Sequence, residues 1–112
     1  MNRVFLSRKV DIFKALAHPV RLEIAERLLE GEHCVCEIAE WFPFDRTTIS
    51  KHLSILRNAG VIADRKEGLN VYYSLRMCCL KNLLSCLEET LRQDLRDQVE
   101  ALETTAEPSR SL

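Results

Sequence analysis

The chain has 112 residues, 46% of them hydrophobic, five cysteines and a formal net charge of −1. That length supports one globular domain with a modest core and excludes two, and the near-neutral charge excludes a protein that coats nucleic acid indiscriminately. No run approaches the ~20 consecutive apolar residues of a membrane span, and Met1 to Lys9 has no apolar signal-peptide core, so the expectation is a cytoplasmic protein with no membrane partner.

Taken in chain order, Asp11–Ala17 carries apolar residues at helical spacing and stops at His18, because a residue before proline is pushed out of the helical region. Pro19 suits the first turn of a second helix, whose stripe is Val20, Ile24 and Leu28 and whose stop is Gly31. A third, short helix is expected from about Cys34 to Trp41, with Ile38, Trp41 and Phe42 facing inward. After Phe42-Pro43-Phe44, Asp45 is a good N-cap for a fourth helix running to Ala59, with Ile49, Leu53 and Leu56 as its buried positions. The period then changes. Val61–Lys66 reads as a strand, Glu67–Asn70 as a turn and Val71–Leu75 as the returning strand. From about Leu80 to Leu102 a long leucine-rich stripe returns, more than a small domain can cover alone, which predicts pairing with a second copy of the chain. Residues 104–112 read as a disordered tail, leaving residues 1–103 as the single domain.

Charge is unevenly placed along these elements. Residues 46–76 hold six Lys/Arg against two Asp/Glu, net +4, whereas residues 1–45 are net −2 and residues 77–112 net −3. Helix, short turn, helix and then a hairpin is the order of a winged helix-turn-helix, and its second helix and wing fall in the positive segment. Thr47, Thr48, Ser50 and His52 are short donors and acceptors able to reach base edges or phosphates, although His52 also fits a structural role. Arg46, Lys51 and Arg57 suit phosphates, and Arg65, Lys66 and Asn70 would bring the hairpin onto the DNA backbone or into a minor groove.

At this point the chain resembles the ArsR/SmtB family of metal-responsive winged-helix repressors, and in particular its arsenic-responsive type. The likeness spans roughly Ile12 to Leu91 and rests on three runs: ALAHPVRLEIAERLLEG, TTISKHLSILRNAGVI and DRKEGLNVYYSL. The resemblance implies a mainly α fold with a small β-hairpin. It also implies a homodimer held by its first and last helices, and an inverted-repeat double-stranded operator with recognition helices ~34 Å apart. Pro43 departs from the family, which usually carries glycine in that turn.

His33-Cys34-Val35-Cys36-Glu37 is similar to the family's metalloid-binding motif. Within a regular helix, side chains at i and i+2 point ~200° apart, so one ion could bind both Cys34 and Cys36 only if the helix start unwinds, which would disturb the recognition helix. Such a difference in affinity between two shapes is a coupling energy. Arsenite and antimonite favour three thiolates, whereas cadmium, lead or zinc accept further S, N or O ligands. The position of a third local cysteine in arsenic-responsive relatives is Ala39 here, so Cys78, Cys79 or Cys86 would complete the set or form a second site. Met77 and Thr90 cannot complete the last-helix zinc site of other relatives.

Any one cysteine can equally be a packing residue. Two other functions stand beside the metal-sensing repressor. One is a redox-sensing repressor whose disulfide, given the expected helix at Cys34 and Cys36, would join Cys78 or Cys79 to Cys86. The other is a metal-buffering or protein-interaction module that does not bind DNA. An enzyme is not expected, because the sequence has no phosphate loop, nucleophile–base pair or paired-carboxylate pattern.

Overall fold

The structure is a computed structural model that describes residues 2–104, and it divides into two units, residues 1–78 and residues 79–112. Apart from Thr104, the expected tail lies outside the described residues.

The first unit opens with α1 (Arg3–Leu16), which begins at Arg3 rather than at Asp11. Asn2 caps it, its Oδ1 accepting from the Val4 N–H at 2.8 Å. The added turns show no core stripe because Val4, Phe5, Leu6 and Val10 stay 42–69% exposed. α2 (Pro19–Arg27) starts as expected. His18 is its N-cap, with Nδ1 accepting from the Val20 N–H at 3.1 Å, and Pro19 fills the first turn, where its missing N–H costs nothing. A single 3₁₀ turn, Leu28–Glu30, carries the chain to Gly31.

A two-residue strand follows, β1 (His33–Cys34), and only then α3 (Val35–Glu40). Cys34 therefore lies outside the helix, in extended conformation, as its N-cap. The turn from Trp41 to α4 (Arg46–Ala59) contains no residue with positive φ, so proline is accommodated at position 43, where the family resembled usually carries glycine. Asp45 caps α4 through a 2.8 Å bond from the Thr48 N–H. Gly60, at φ 89°, closes the helix in a Schellman motif: its N–H reaches the Arg57 carbonyl, and the Val61 N–H reaches the Leu56 carbonyl, both at 3.0 Å.

β2 (Ile62–Glu67) and β3 (Asn70–Leu75) form the expected hairpin around Gly68-Leu69, and β1 joins the free edge of β3, giving the antiparallel order β1-β3-β2. Ile24, Ile38, Ile49, Leu53, Leu56, Val61 and, on β2, Ile62 are buried and tie α2, α3, α4 and the sheet into one core. α1 packs on α2 and α4, while α3 packs on α4 and β3.

The second unit is α5 (Leu80–Thr104), 25 residues long. Its stripe of Leu83, Leu87, Leu91, Leu95, Val99 and Leu102 is 41–71% exposed. No helix among the described residues is long and apolar enough to cross a membrane.

Candidate nucleic-acid interface and thiol site

On α4 the wholly buried Ile49, Leu53 and Leu56 fix which face is turned outward. Arg46, Thr47, Ser50 and Lys51 are exposed on that outer side, and Thr48 is half-buried beside the cap. Hydrogen bonding from Thr48 holds the Asp45 carboxyl below its ordinary range, with Lys51 adding to the effect. Lys66 and Asn70 are exposed on the hairpin next to its tip.

Three of the cations and rings anticipated for DNA are engaged within the protein. Arg57 forms a 3.2 Å ion pair with Asp64 of β2, joining the recognition helix to the wing. Its neighbour Tyr73 is pushed above the usual phenol range, first by burial and then by Asp64. Arg65 donates to both oxygens of Glu32, at 2.7 and 3.2 Å, and also to Glu67, while its guanidinium lies 4.8 Å over the Tyr72 ring. This bonding lowers the Glu32 carboxyl pKa and raises that of Arg65.

His52 is half-buried and turned toward α2, with its ring centroid 4.6 Å from that of His18 and Nδ1 3.4 Å from Arg21 Nη1. Arg21 also donates from Nε to the Ala15 carbonyl at 2.7 Å, so one guanidinium serves the end of α1, α2 and the recognition helix. The roles of His18, Arg21 and Glu32 were not visible in the sequence. They arise between segments up to 34 residues apart, with no local period to mark them.

Burial, then His18 and Arg21, lowers the His52 pKa from its ordinary 6.5. Between the lowered and the ordinary value, the unfolded chain binds a proton that the folded chain refuses, so acidification through that window favours unfolding. The denaturant midpoint is expected to fall as the pH is lowered through and below the ordinary imidazole pKa of about 6.5, and to fall less in His52→Gln. Equal pH profiles for the two proteins would refute this role for His52.

The thiol site differs from the expected one. Cys34 and Cys36 are joined by a disulfide with Cα atoms 5.3 Å apart, and Cys78, Cys79 and Cys86 are free and exposed. The expectation that Cys34 and Cys36 are poorly placed for a disulfide is thus overturned, as is the assignment of the bond to Cys78 or Cys79 with Cys86. The opposed i, i+2 geometry requires both residues to be helical, and Cys34 is extended, at φ −78° and ψ 159°. Its Sγ instead accepts from the Glu37 N–H at 3.4 Å, while Glu37 Oε1 accepts from the Cys34 N–H at 2.9 Å, a capping box with sulfur in the serine position. His33 is held by the Gly31 carbonyl, 3.0 Å from Nδ1, and by the edge of Trp41. Among the described residues no three His, Cys, Asp or Glu side chains converge as a metal cage.

Comparison with known proteins adds the following. Residues 18–64 match the family model described as "Bacterial regulatory protein, arsR family". The uncharacterized HTH-type transcriptional regulator Rv0081 of Mycobacterium tuberculosis is 35% identical over 96 residues, spanning 85% of this chain and 84% of that protein. The CadC homolog of Staphylococcus aureus, a cadmium resistance transcriptional regulatory protein, is 49% identical over 65 residues, 57% of this chain and 54% of that protein. The arsenical resistance operon repressor of Escherichia coli K12 is 42% identical over 67 residues, 59% of this chain and 57% of that protein. Among solved structures, the crystal structure of Rv0081 superposes with a TM-score of 0.74 at 33% identity, covering 85% of this chain and 96% of that one. The homodimeric winged helix-turn-helix domain Mb0332 of Mycobacterium bovis gives 0.74 at 28% identity, covering 85% and 88%.

Proposed function

The chain belongs to the arsR family of bacterial regulatory proteins, DNA-binding transcriptional regulators rather than enzymes, and on that premise we propose that it is a homodimeric, cytoplasmic repressor released from its operator by thiophilic ions. Arg46, Thr47, Thr48, Ser50 and Lys51 contact the major groove, and Lys66 and Asn70 the adjacent backbone. His52, Arg57 and Arg65 support these surfaces and reach DNA only at their edges. The exposed apolar faces of α1 and of α5 support dimerisation, since each leaves large side chains such as Phe5, Phe13, Leu91 and Leu95 uncovered.

The observation that carries the sensing half is the convergence of the Cys34 and Cys36 sulfurs at the cap of α3, the helix packed against α4. Two sulfurs already within bonding reach suit one soft ion once they are thiolates. Reduction of the bond to two thiols takes two electrons and two protons, which a cellular dithiol supplies as it becomes a disulfide, and the two thiol protons are then released to solvent as the sulfurs bind the ion. A thiolate taken up by an ion no longer accepts the Glu37 N–H as before, so the cap of α3 is where binding acts. Cys78, Cys79 or Cys86 supplies the third sulfur for arsenite or antimonite, or forms a second site, while cadmium, lead or zinc would accept other donors beside the pair.

X-ray absorption on reduced, arsenite-loaded protein tests this assignment. Sulfur ligation is expected in the wild type and in Cys86→Ser, with a loss of sulfurs in Cys34→Ser. Ligation kept in Cys34→Ser and lost in Cys86→Ser would move the site to the last helix. The Cys34–Cys36 bond itself favours a second reading, a redox sensor: two thiols lose two electrons and two protons to a peroxide, which becomes water, and the disulfide forms. Operator release by peroxide but not by anaerobic arsenite or cadmium would select it.

A further inference from the structure

The register of the sheet sets Cys34, Tyr72 and Arg65 in one cross-strand row: Cys34 pairs with Tyr72 of β3, and Tyr72 pairs with Arg65 of β2. Residues directly opposite in antiparallel strands share a face and interact side by side. The far end of the row is tied back to its start, because Glu32, two residues before Cys34, holds Arg65 by two hydrogen bonds. Arg65 in turn lies over Tyr72 and donates to Glu67 beside the hairpin tip. The thiol site is thus backbone-paired to the wing and clamped to it by an ion pair, in addition to capping α3.

From this juxtaposition we propose that the wing is a direct output of the thiol site, with Glu32 the positioning residue that couples them. Cys34 belongs at once to β1 and to the cap of α3, so a shift of its sulfur toward an ion draws on both elements. Movement of β1 is passed to β3 through the ladder. Glu32 makes the transfer stiff by fixing Arg65, and with it β2, to the segment that moves. Without Glu32, only the two-residue β1 ladder and the packing of α3 on β3 are left, among the described residues, to link the thiol site to the wing, and the wing keeps its DNA-bound position more readily when the site is filled. This rests on the thiol-sensing reading above and adds the route by which that site reaches DNA.

The test uses reduced full-length protein, arsenite and cadmium as probes, and three chains: wild type, Glu32→Gln, and Glu30→Gln as a control of equal charge change. Glu32 has no assigned contact with DNA or ion, so Glu32→Gln is expected to bind the free operator and the free ion within about twofold of wild type. Its coupling factor, the ratio of operator affinities without and with ion, is expected to drop about threefold or more, whereas Glu30→Gln keeps it. Hydrogen exchange gives a second readout that a purely structural role would not move: ion binding should change protection of the β2–β3 amides in wild type and change it less in Glu32→Gln.

An unchanged coupling factor in Glu32→Gln overturns the proposal. So does wild-type release by ion with no change in wing protection, and in that case thiol sensing itself stands. Failure of every ion to release the wild type marks the different failure, that of the sensing reading, and removes the proposal with it.

Discussion

Replacing Cys34 by serine is expected to leave a repressor that binds its operator and no longer answers to ions. Serine is among the best N-cap residues, and at position 34 its hydroxyl can take the Glu37 N–H that the sulfur now accepts, while the reciprocal bond from the Cys34 N–H to Glu37 involves only backbone and carboxylate. Relative to the reduced wild type, stability should therefore change by no more than about 1 kcal/mol. A hydroxyl is a poor ligand for a soft ion, however, and Cys36 alone offers one sulfur. Release by arsenite, antimonite or cadmium, worth on the order of tenfold or more in operator affinity for the wild type, should vanish in Cys34→Ser. Cys36→Ser should do the same, since Cys36 is exposed and caps nothing. Operator titrations with and without ion check both, and full ion response in either variant would rule out the Cys34/Cys36 pair as the sensor.

The second large effect is expected on the recognition helix. Arg46 and Lys51 stand exposed on the outer side of α4, and neither enters a salt bridge among the described residues. Neutralising a phosphate-contacting cation weakens binding to every sequence and lowers the salt dependence by about one unit per contact, hence about two per substitution over both protomers of a dimer. Arg46→Gln with Lys51→Gln should cost operator affinity on the order of tenfold or more at low salt and flatten the log–log salt slope by about four. Arg57→Gln is expected to flatten it less, because that guanidinium is shared with Asp64. If the double variant kept the wild-type slope, α4 would not be the element lying against the phosphates.

What could be read from the sequence was whatever is decided locally. Asp45, the Ile49/Leu53/Leu56 stripe and Gly60 settle the two ends and the buried face of α4 with no help from the rest of the chain, and all three apolar positions are wholly buried. His18-Pro19 likewise fixes the start of α2, and the change of period after Gly60 marks the hairpin. The missing features are non-local. β1 has two residues, too few for an alternating pattern, and exists because β3 offers an unpaired edge. The early turns of α1 escaped notice because their apolar side chains are uncovered in the single chain. Misplacing Cys34 by one position, inside the helix rather than at its cap, reversed the geometry assigned to the two cysteines. The same kind of distance hid the Glu32–Arg65 clamp: nothing near Arg65 in sequence shows that its charge is already matched by a carboxylate 33 positions earlier.

The consequence for function is a division of labour along one short segment. Residues 32–37 hold the clamp to the wing, the ladder to β3 and the cap of the helix that abuts α4. A chemical change at two sulfurs there meets β2, β3 and, through α3, the helix α4 within a few residues. Coupling of this kind needs no long path, only a difference in ion affinity between the DNA-ready and the released arrangement.

The most direct measurement is an anaerobic titration of a fluorescent operator fragment with the reduced wild-type protein, repeated with arsenite, antimonite and cadmium each saturating its thiols. Tight binding without ion and an affinity lowered about tenfold or more by at least one of them is the predicted result. Operator held equally well in all four titrations would contradict it.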